Sequence, residues 1–194
     1  MAGTTESAPQ QRRLRADAQR NEDRLLEAAA EAFARGGANA SVKDIARQAG
    51  VGVGTLYRRF PSKELLVEAT YRHEIERLCQ AAPELAASSP PVEALRTWIQ
   101  RFVVFMATKQ GMADALRVVL TDDSQRLHTR ALLTEAIELL LTAGARQGAF
   151  RPGASAYDLL MALGGISLIT DYDNQSGLAD RLIDLLLHGV VAGT

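Results

Sequence analysis

The side chains best suited to chemistry lie close together in the first third of the chain. Thr55 carries a hydroxyl that can bond a base or a phosphate, and its methyl group can touch the methyl of thymine. Arg58, three residues later, carries a guanidinium group that can engage guanine through two parallel hydrogen bonds. These residue types suit the non-covalent recognition of DNA, provided that a local element presents them together.

Catalytic constellations are absent from the sequence. No glycine-rich phosphate loop precedes a strand, and His73, His128 and His188 do not have the spacing of metal ligands. A single cysteine, Cys79, cannot form an intramolecular disulfide or by itself build a thiolate metal site. The sequence therefore predicts neither an enzyme nor a protein that needs a cofactor.

Charge is unevenly distributed along the chain, although the formal net charge is only -1. Residues 1–72 contain 12 Lys and Arg against 9 Asp and Glu, a balance of +3, while residues 73–194 contain 10 against 14, a balance of -4. The basic part is the candidate for contact with DNA. An imbalance of this size also fits a solvated surface, so charge alone leaves both interpretations open.

The elements that position these side chains begin after an irregular N-terminal segment. Residues 1–20 lack an apolar period, which predicts a flexible arm whose arginines could contact phosphates or a minor groove. Asn21 is the predicted N-cap of a first helix, whose buried stripe has helical spacing. Gly36 and Gly37 are expected to end it.

Two short helices are predicted to follow. Ser41 caps the first, with Asp44 three residues on in the arrangement of a capping box. Gly50 supplies the positive φ of a tight turn, and a second helix with Leu56 on its inner face ends before Pro61. This pattern fits a helix-turn-helix, in which the second helix enters the major groove, but it also fits other helical hairpins with a glycine turn.

The sequence SVKDIARQAGVGVGTLYRRFPSKELL, residues 41–66, resembles the signature of the TetR family of bacterial transcriptional regulators. That signature has, in order, a Thr- or Ser-led helix, an AGV turn, a G-T-L-Y recognition helix and an F-x-x-K start to the next helix. The resemblance implies an N-terminal three-helix DNA-binding domain that contains the helix-turn-helix, followed by a helical bundle for dimerisation and ligand binding.

The resemblance also implies roles for individual residues. Contacts at or beside the base edges are implied for Val53, Gly54, Thr55, Tyr57 and Arg58. Tyr57 and Lys63 match the family's phosphate contacts, which position a protein on DNA without specifying its sequence. Contacts from the start of the bracing helix, where backbone N–H groups can hold a phosphate, are implied for Ser41, Val42 and Lys43.

Two positions of the predicted DNA-contact set depart from the family pattern. Gly52 stands where Ser or Thr is frequent, so a side-chain cap and a base or phosphate contact are missing. Arg59 stands where an aromatic residue or His is common, and its implied role is an additional phosphate contact. For Tyr57 the residues also allow a core position, on the same face as Val53 and Phe60.

The rest of the chain is also predicted to be helical, because no stretch has convincing period-two alternation. Ser62 caps a fourth helix that is expected to end near Gln80, before Pro83. Five more helices are predicted over residues 92–109, 112–120, 124–147, 155–171 and 177–191. We expect a DNA-binding domain over 21–66, with the fourth helix as a connector to about 80, and a ligand-binding and dimerisation domain over 81–194.

The first half of this second domain is rich in aromatic and sulfur-bearing side chains, which together with a few polar anchors suit a small organic effector. The apolar candidates are Trp98, Phe102, Phe105, Met106 and Met112. The polar candidates are Arg117, His128 and Tyr157. The apolar spacing equally fits an ordinary core stripe, so both interpretations stay open.

The resemblance implies a homodimer in which the last two helices pack against their symmetry mates as a four-helix bundle. The residues permit this arrangement, because Gly164 and Gly165 allow a close approach and the final helix is apolar around much of its circumference. Such a helix needs cover on more than one side. Burial within a single chain is the alternative.

These patterns predict an all-α, ligand-responsive repressor that binds a palindromic double-stranded DNA operator as a dimer. No apolar run reaches the roughly 18 residues of a membrane-spanning helix, and the N-terminus lacks the apolar stretch of a signal peptide, so a cytoplasmic protein without membrane contact is expected. The competing function is a DNA-binding architectural protein without an effector. A bundle without a pocket would favour that alternative, whereas a cavity with polar anchors would favour the sensor.

Overall fold

The computed structural model describes residues 8–120, 123–172 and 177–192. Within these ranges the chain forms nine α-helices and one short 3-10 turn, Gly37–Asn39. The helices are α1 (Ala8–Gly36), α2 (Val42–Gln48), α3 (Val53–Arg59), α4 (Lys63–Ser88), α5 (Pro91–Gly111), α6 (Ala113–Val119), α7 (Asp123–Arg146), α8 (Ala156–Tyr172) and α9 (Leu178–Val190). The described residues form no strand beyond an isolated bridge, so the predicted all-α fold is confirmed.

Helix α1 begins earlier than the sequence predicts. Residues 8–20 continue the helix, so the expectation of an irregular segment there is wrong, while residues 1–7 of the predicted arm lie outside the described ranges. Ala, Gln and Arg are good helix formers, and the Gln19 amide donates to Asp23 one turn on, at 3.0 Å. Asn21 is therefore interior to the helix rather than its cap.

Local signals set the two short helices as predicted. The Ser41 hydroxyl accepts the N–H of Asp44 at 3.4 Å, which caps α2. Gly50 has φ +70°, a conformation that costs other L-residues roughly 1–2 kcal/mol, and it turns the chain between α2 and α3. Ala46 and Leu56 are both buried in the same hydrophobic core, which fixes the inner faces of α2 and α3.

Helix α4 runs through Pro83 to Ser88, so the predicted end near Gln80 is wrong. Proline removes one backbone hydrogen bond and usually costs a helix about 3 kcal/mol. Here Ala82 and Leu85, on either side of that proline, are buried in the core, and this packing holds the helix together. One continuous helix therefore joins the two predicted domains.

Helices α5 to α9 follow the predicted ranges to within a few residues at each end. The core between them and α4 is aromatic at its centre: Trp98 and Phe102 stack with ring centroids 5.8 Å apart, and Tyr71 lies 5.9 Å from Phe105. No described helix is both long enough and apolar enough to cross a membrane.

Helices α1 and α5 touch backbone to backbone at Gly111. A Cβ built on this glycine would lie 2.0 Å from the carbonyl oxygen of Phe33, well inside van der Waals contact. Only glycine therefore permits this approach, which joins the N-terminal helices to the C-terminal bundle at a second point besides α4.

Candidate functional site

The outer face of α3 carries the predicted DNA-contact residues. Leu56 and Phe60 are buried, whereas Thr55, Tyr57 and Arg58 are exposed. Tyr57 is 48% exposed, which excludes the core position that the sequence left open. The helix thus offers two hydroxyls and a guanidinium group to solvent.

Two neighbours on α3 have different partners. Arg58 Nη2 donates to Thr55 Oγ1 at 3.1 Å, so these side chains are held together on the exposed face. Arg59 instead reaches back to α1, where its Nη2 lies 2.7 and 2.8 Å from the two carboxylate oxygens of Glu22. The structure therefore gives Arg59 a partner within the protein, in a pair that ties α3 to α1.

Lys63 lies at the start of α4 and faces the segment that leads into α2. Its Nζ donates to the carbonyl oxygen of Ala40 at 3.1 Å and lies 5.9 Å from the ring centroid of Phe33. The ammonium group is thus already positioned by contacts with the chain. A phosphate contact for it stays a prediction.

The remaining predicted residues lie at the N-terminal ends of α2 and α3, which pack together. Ser41 and Lys43 are exposed, while Val42 and Val53 are half-buried against the core. Gly52 is the N-cap of α3 and provides no side-chain cap, as predicted. A Cβ at Gly54 would meet nothing within 4 Å, so the start of α3 is open to an approaching partner.

The C-terminal bundle contains a cavity of about 430 Å³. Four of the predicted ligand residues line it: Phe102, Phe105, Met106 and Arg117. Its other lining residues come from α4 to α8 and from the segment after α6: Tyr71, Lys109, Gln110, Ala113, Leu116, Leu120, Arg126, Thr129, Arg130, Leu133, Leu160, Met161, Gly164 and Leu168. The cavity lies within the size range of sites for small organic ligands.

The other four predicted ligand residues do not line this cavity. Trp98 is fully buried, and its Nε1 donates to the carbonyl oxygen of Leu78 at 2.9 Å. Met112 is buried in the core, Tyr157 is 48% exposed on α8, and His128 is exposed on α7. Sequence spacing alone cannot tell which side of a core helix borders empty space.

Several polar lining residues were not predicted. Arg126, Thr129 and Arg130 share one face of α7 at spacing i, i+3, i+4, and His128 points away from it. The spacing was visible in the sequence, but its direction depends on how α7 packs. The hydroxyl of Tyr71 lies 3.5 Å from that of Thr129, and burial raises the pKa of this tyrosine.

Lys109 is the most unusual of these lining residues, because it is half-buried at the end of α5. Burial lowers the pKa of its ammonium group, and the positive charges of Arg126 and Arg130 lower it further. The cavity thus combines apolar walls with a group of cations that repel one another.

A metal site is not formed by the described residues, which contain no cluster of three His, Cys, Asp or Glu side chains. Cys79 is half-buried, and its thiol lies 3.9 Å from the carbonyl oxygen of Leu132. Burial raises the pKa of this thiol, and Glu135 and Glu76 raise it further, which keeps it protonated and weakly reactive.

Comparison with known proteins identifies both halves of the chain. Residues 25–70 match the family of bacterial regulatory proteins named tetR, and residues 90–192 match the C-terminal domain of SbtR-like transcriptional regulators. The crystal structure of the TetR transcriptional regulator SCO0520 from Streptomyces coelicolor is similar with a TM-score of 0.82 and 43% identity, over 89% of this chain and 99% of that one.

Two curated relatives match over shorter regions. The HTH-type transcriptional repressor KstR2 of Mycolicibacterium smegmatis is 34% identical over 131 residues, which are 66% of this chain and 57% of the relative. The HTH-type transcriptional regulator SAR0097 of Staphylococcus aureus is 37% identical over 70 residues, 35% of this chain and 37% of the relative. The matched regions thus span well under two thirds of these two relatives.

These relatives are transcriptional regulators and not enzymes, and the matched regions include both the helix-turn-helix and the helical bundle. The chain belongs to the TetR family of bacterial transcriptional regulators.

Proposed function

We propose that this regulator is a ligand-responsive repressor that binds a palindromic operator as a dimer. The observation that carries the proposal is the division of α3 into a buried face, with Leu56 and the C-cap Phe60, and an exposed polar face, with Thr55, Tyr57 and Arg58. A recognition helix needs this division, because its inner face fixes its direction while its outer face meets the groove. The similarity to a protein named a transcriptional repressor supports repression rather than activation.

The DNA contacts divide by chemistry into two groups. Thr55 and Arg58 are proposed to read base edges, since their hydroxyl and guanidinium groups are exposed and joined at 3.1 Å. Ser41, Lys43, Tyr57 and Lys63 are proposed to contact phosphates, and Val42, Gly52, Val53 and Gly54 to shape the close approach. Arg59 is a weaker candidate for a phosphate contact, because Glu22 already neutralises it.

Fluorescence anisotropy tests this assignment with a labelled promoter duplex and a random duplex at several salt concentrations. Affinity is expected to fall steeply with salt, because basic side chains displace phosphate counterions. Lys43→Ala should weaken binding to both duplexes, whereas Thr55→Ala should reduce discrimination between them by roughly 1–3 kcal/mol. Equal losses on both duplexes for both variants would rule out the role of Thr55 at base edges.

A dimer through α8 and α9 is supported by apolar side chains exposed on these helices. They are Met161, Leu168, Ile169 and Leu185, of which Leu185 is 69% exposed. Regulators of the TetR family act as dimers, and two helices from each protomer could bury these side chains as a four-helix bundle.

Light scattering after size exclusion tests this interface with a matched pair of variants. Leu185→Glu should give a monomer, because it places a charge in the proposed bundle. Val118→Glu is the control, since Val118 is 68% exposed on α6 and lies outside α8 and α9. A dimer that survives Leu185→Glu, or one that is lost with Val118→Glu, would contradict this interface.

The cavity favours a sensor over an architectural protein without an effector. An architectural protein has no use for about 430 Å³ of space lined by both apolar and polar groups, since filling it would stabilise the fold. Effector binding and operator binding are expected to oppose each other by the same factor, typically ~5- to 150-fold. Measuring effector affinity with and without operator tests this linkage, and equal affinities would favour the architectural alternative.

A further inference from the structure

Among the described residues, the charged groups that line the cavity all have the same sign. They are Lys109, Arg117, Arg126 and Arg130, and no Asp or Glu is among the described lining residues. Most surfaces mix charges of both signs, so a one-sided set around an apolar space indicates the charge of its occupant.

Two of these cations form no ion pair with any described carboxylate. Among the described residues, neither Lys109 nor Arg130 forms an ion pair. Lys109 is half-buried, and its nearest charged influences are the guanidinium groups of Arg126 and Arg130, which repel it. A bound anion would relieve this repulsion and restore the hydrogen bonds that burial takes from the ammonium group.

The other two cations are paired only at the protein surface. Arg117 lies 3.6 Å from Asp114, and Arg126 lies 3.3 Å from Asp123, but these carboxylates are 80% and 87% exposed. Water screens such pairs, so they do little to neutralise the cavity. Arg126 Nη2 also donates to the carbonyl oxygen of Leu120 at 3.5 Å, which holds its guanidinium group beside the lining.

Most of the remaining lining is apolar and suits an apolar part of the occupant. Phe102, Phe105 and Leu133 are buried side chains that border the cavity, as are Leu116, Leu120 and Leu160. The paired hydroxyls of Tyr71 and Thr129 lie on the same wall of α4 and α7 as the arginines. The lining therefore suits a molecule with an apolar body and one anionic end.

We propose that this cavity binds an apolar organic acid, with its carboxylate held by Lys109, Arg126 and Arg130 and its body against Phe102, Phe105 and Leu133. The planar guanidinium group of an arginine can donate two parallel hydrogen bonds to a carboxylate, and the ammonium group of a half-buried lysine adds a compact positive charge. This proposal rests on the proposed function and specifies the chemical class of its effector.

Calorimetry on the dimer without DNA tests the ligand class with matched probes. The acids are octanoate and 2-naphthoate, and each is compared with the alcohol of the same skeleton, 1-octanol or 2-naphthalenemethanol. At least one acid is expected to bind roughly tenfold or more tightly than its alcohol, because charge-assisted hydrogen bonds replace neutral ones. Both alcohols binding as tightly as their acids, or the absence of binding by both acids, would overturn the proposal.

Variants then locate the anion. Lys109→Met and Arg130→Met should each remove most of the preference for acid over alcohol while leaving alcohol affinity unchanged. Arg146→Met is the matched control, because Arg146 is an exposed arginine on the same helix as Arg130 but does not line the cavity. A preference for acid that survives both cavity variants, or one that Arg146→Met abolishes equally, would overturn the assignment.

The operator assay separates this proposal from the proposed function. An acid that binds in calorimetry and depends on Lys109 supports the ligand class whether or not DNA is released. Unchanged operator affinity in the presence of that acid contradicts ligand-responsive repression and leaves the calorimetric result intact.

Discussion

The exposed face of α3 and the cavity between α4 and α8 are built in different ways. The α3 surface depends on signals within about twenty residues, such as the Ser41 cap, the Gly50 turn and the buried Leu56. The cavity draws its lining from five helices and the segment after α6, so no local stretch specifies it. A short-range surface can be interpreted residue by residue, whereas a long-range cavity becomes visible only when the helices are packed.

The largest expected effect is at Gly111, where the N-terminal helices meet the C-terminal bundle. Gly111→Ala should lower the free energy of unfolding by about 3 kcal/mol, because its Cβ would lie 2.0 Å from the Phe33 backbone, which cannot yield as a side chain can. Urea denaturation at fixed protein concentration measures this loss. Gly54→Ala is the control, because it makes the same chemical change in open space on α3. It should raise the free energy of unfolding by as much as about 1 kcal/mol, because alanine favours a helix more than glycine does. Changes of the same sign in both variants would contradict the contact.

A smaller effect tests whether the α3 surface depends on backbone conformation rather than on packing. Gly50→Ala should cost about 1–2 kcal/mol, because φ is +70° and no atom lies within 4 Å of the added Cβ. Gly50→Asn should cost less, since Asn tolerates this conformation better than Ala. If Asn and Ala destabilise equally in urea denaturation, backbone strain is not the cause.

The ion pair between Glu22 and Arg59 is the one charge-dependent contact between α1 and α3 among the residues that the structure describes. A double-mutant cycle with Glu22→Gln and Arg59→Met should give a coupling below about 1 kcal/mol, since Arg59 is 63% exposed. The coupling should shrink with added salt. In the anisotropy assay, Glu22→Gln should raise DNA affinity if Arg59 contacts a phosphate and leave it unchanged if the pair is only structural.

The smallest expected effect concerns the start of α3. Gly52→Ser restores a side-chain cap, and the added Cβ would lie 3.8 Å from Thr55 Oγ1, an ordinary contact. Serine should stabilise the protein by only a few tenths of a kcal/mol, because glycine is itself a tolerated N-cap. Thermal unfolding by circular dichroism measures this change, with Gly52→Ala as the variant that adds a Cβ without a cap. If Ala matches Ser, capping does not account for the gain.

The local structure around α3 could largely be predicted from the sequence because its determinants are local. Ser41, Gly50 and Ser62 have the capping and turn roles that their residue types favour, and each acts within four residues. The exception is Arg59, whose partner Glu22 lies 37 positions away, a distance over which residue types give no guidance.

The parts that could not be predicted depend on tertiary packing. Pro83 marks a helix end in isolation, but buried neighbours carry α4 past it. Trp98 is of a residue type that often lines ligand sites, yet it is buried in the core and its indole N–H donates to the carbonyl oxygen of Leu78. Conversely, Lys109 and Arg130 look like ordinary surface charges until α5 and α7 bring them to the same cavity.

The continuity of α4 gives the molecule a mechanical lever. Its 26 residues span roughly 39 Å at about 1.5 Å per residue, so one end lies in the predicted DNA-binding domain and the other in the predicted ligand-binding domain. Tyr71, the α4 residue that lines the cavity, lies eight residues from the α3 end, a lever arm of roughly 12 Å, so a tilt of about 16° there would displace that end by roughly 3.3 Å, close to the axial rise of one base pair. In the proposed dimer, the recognition helices would have to match half-sites roughly 34 Å apart, and a displacement of this size in each protomer would take them out of register with the proposed operator.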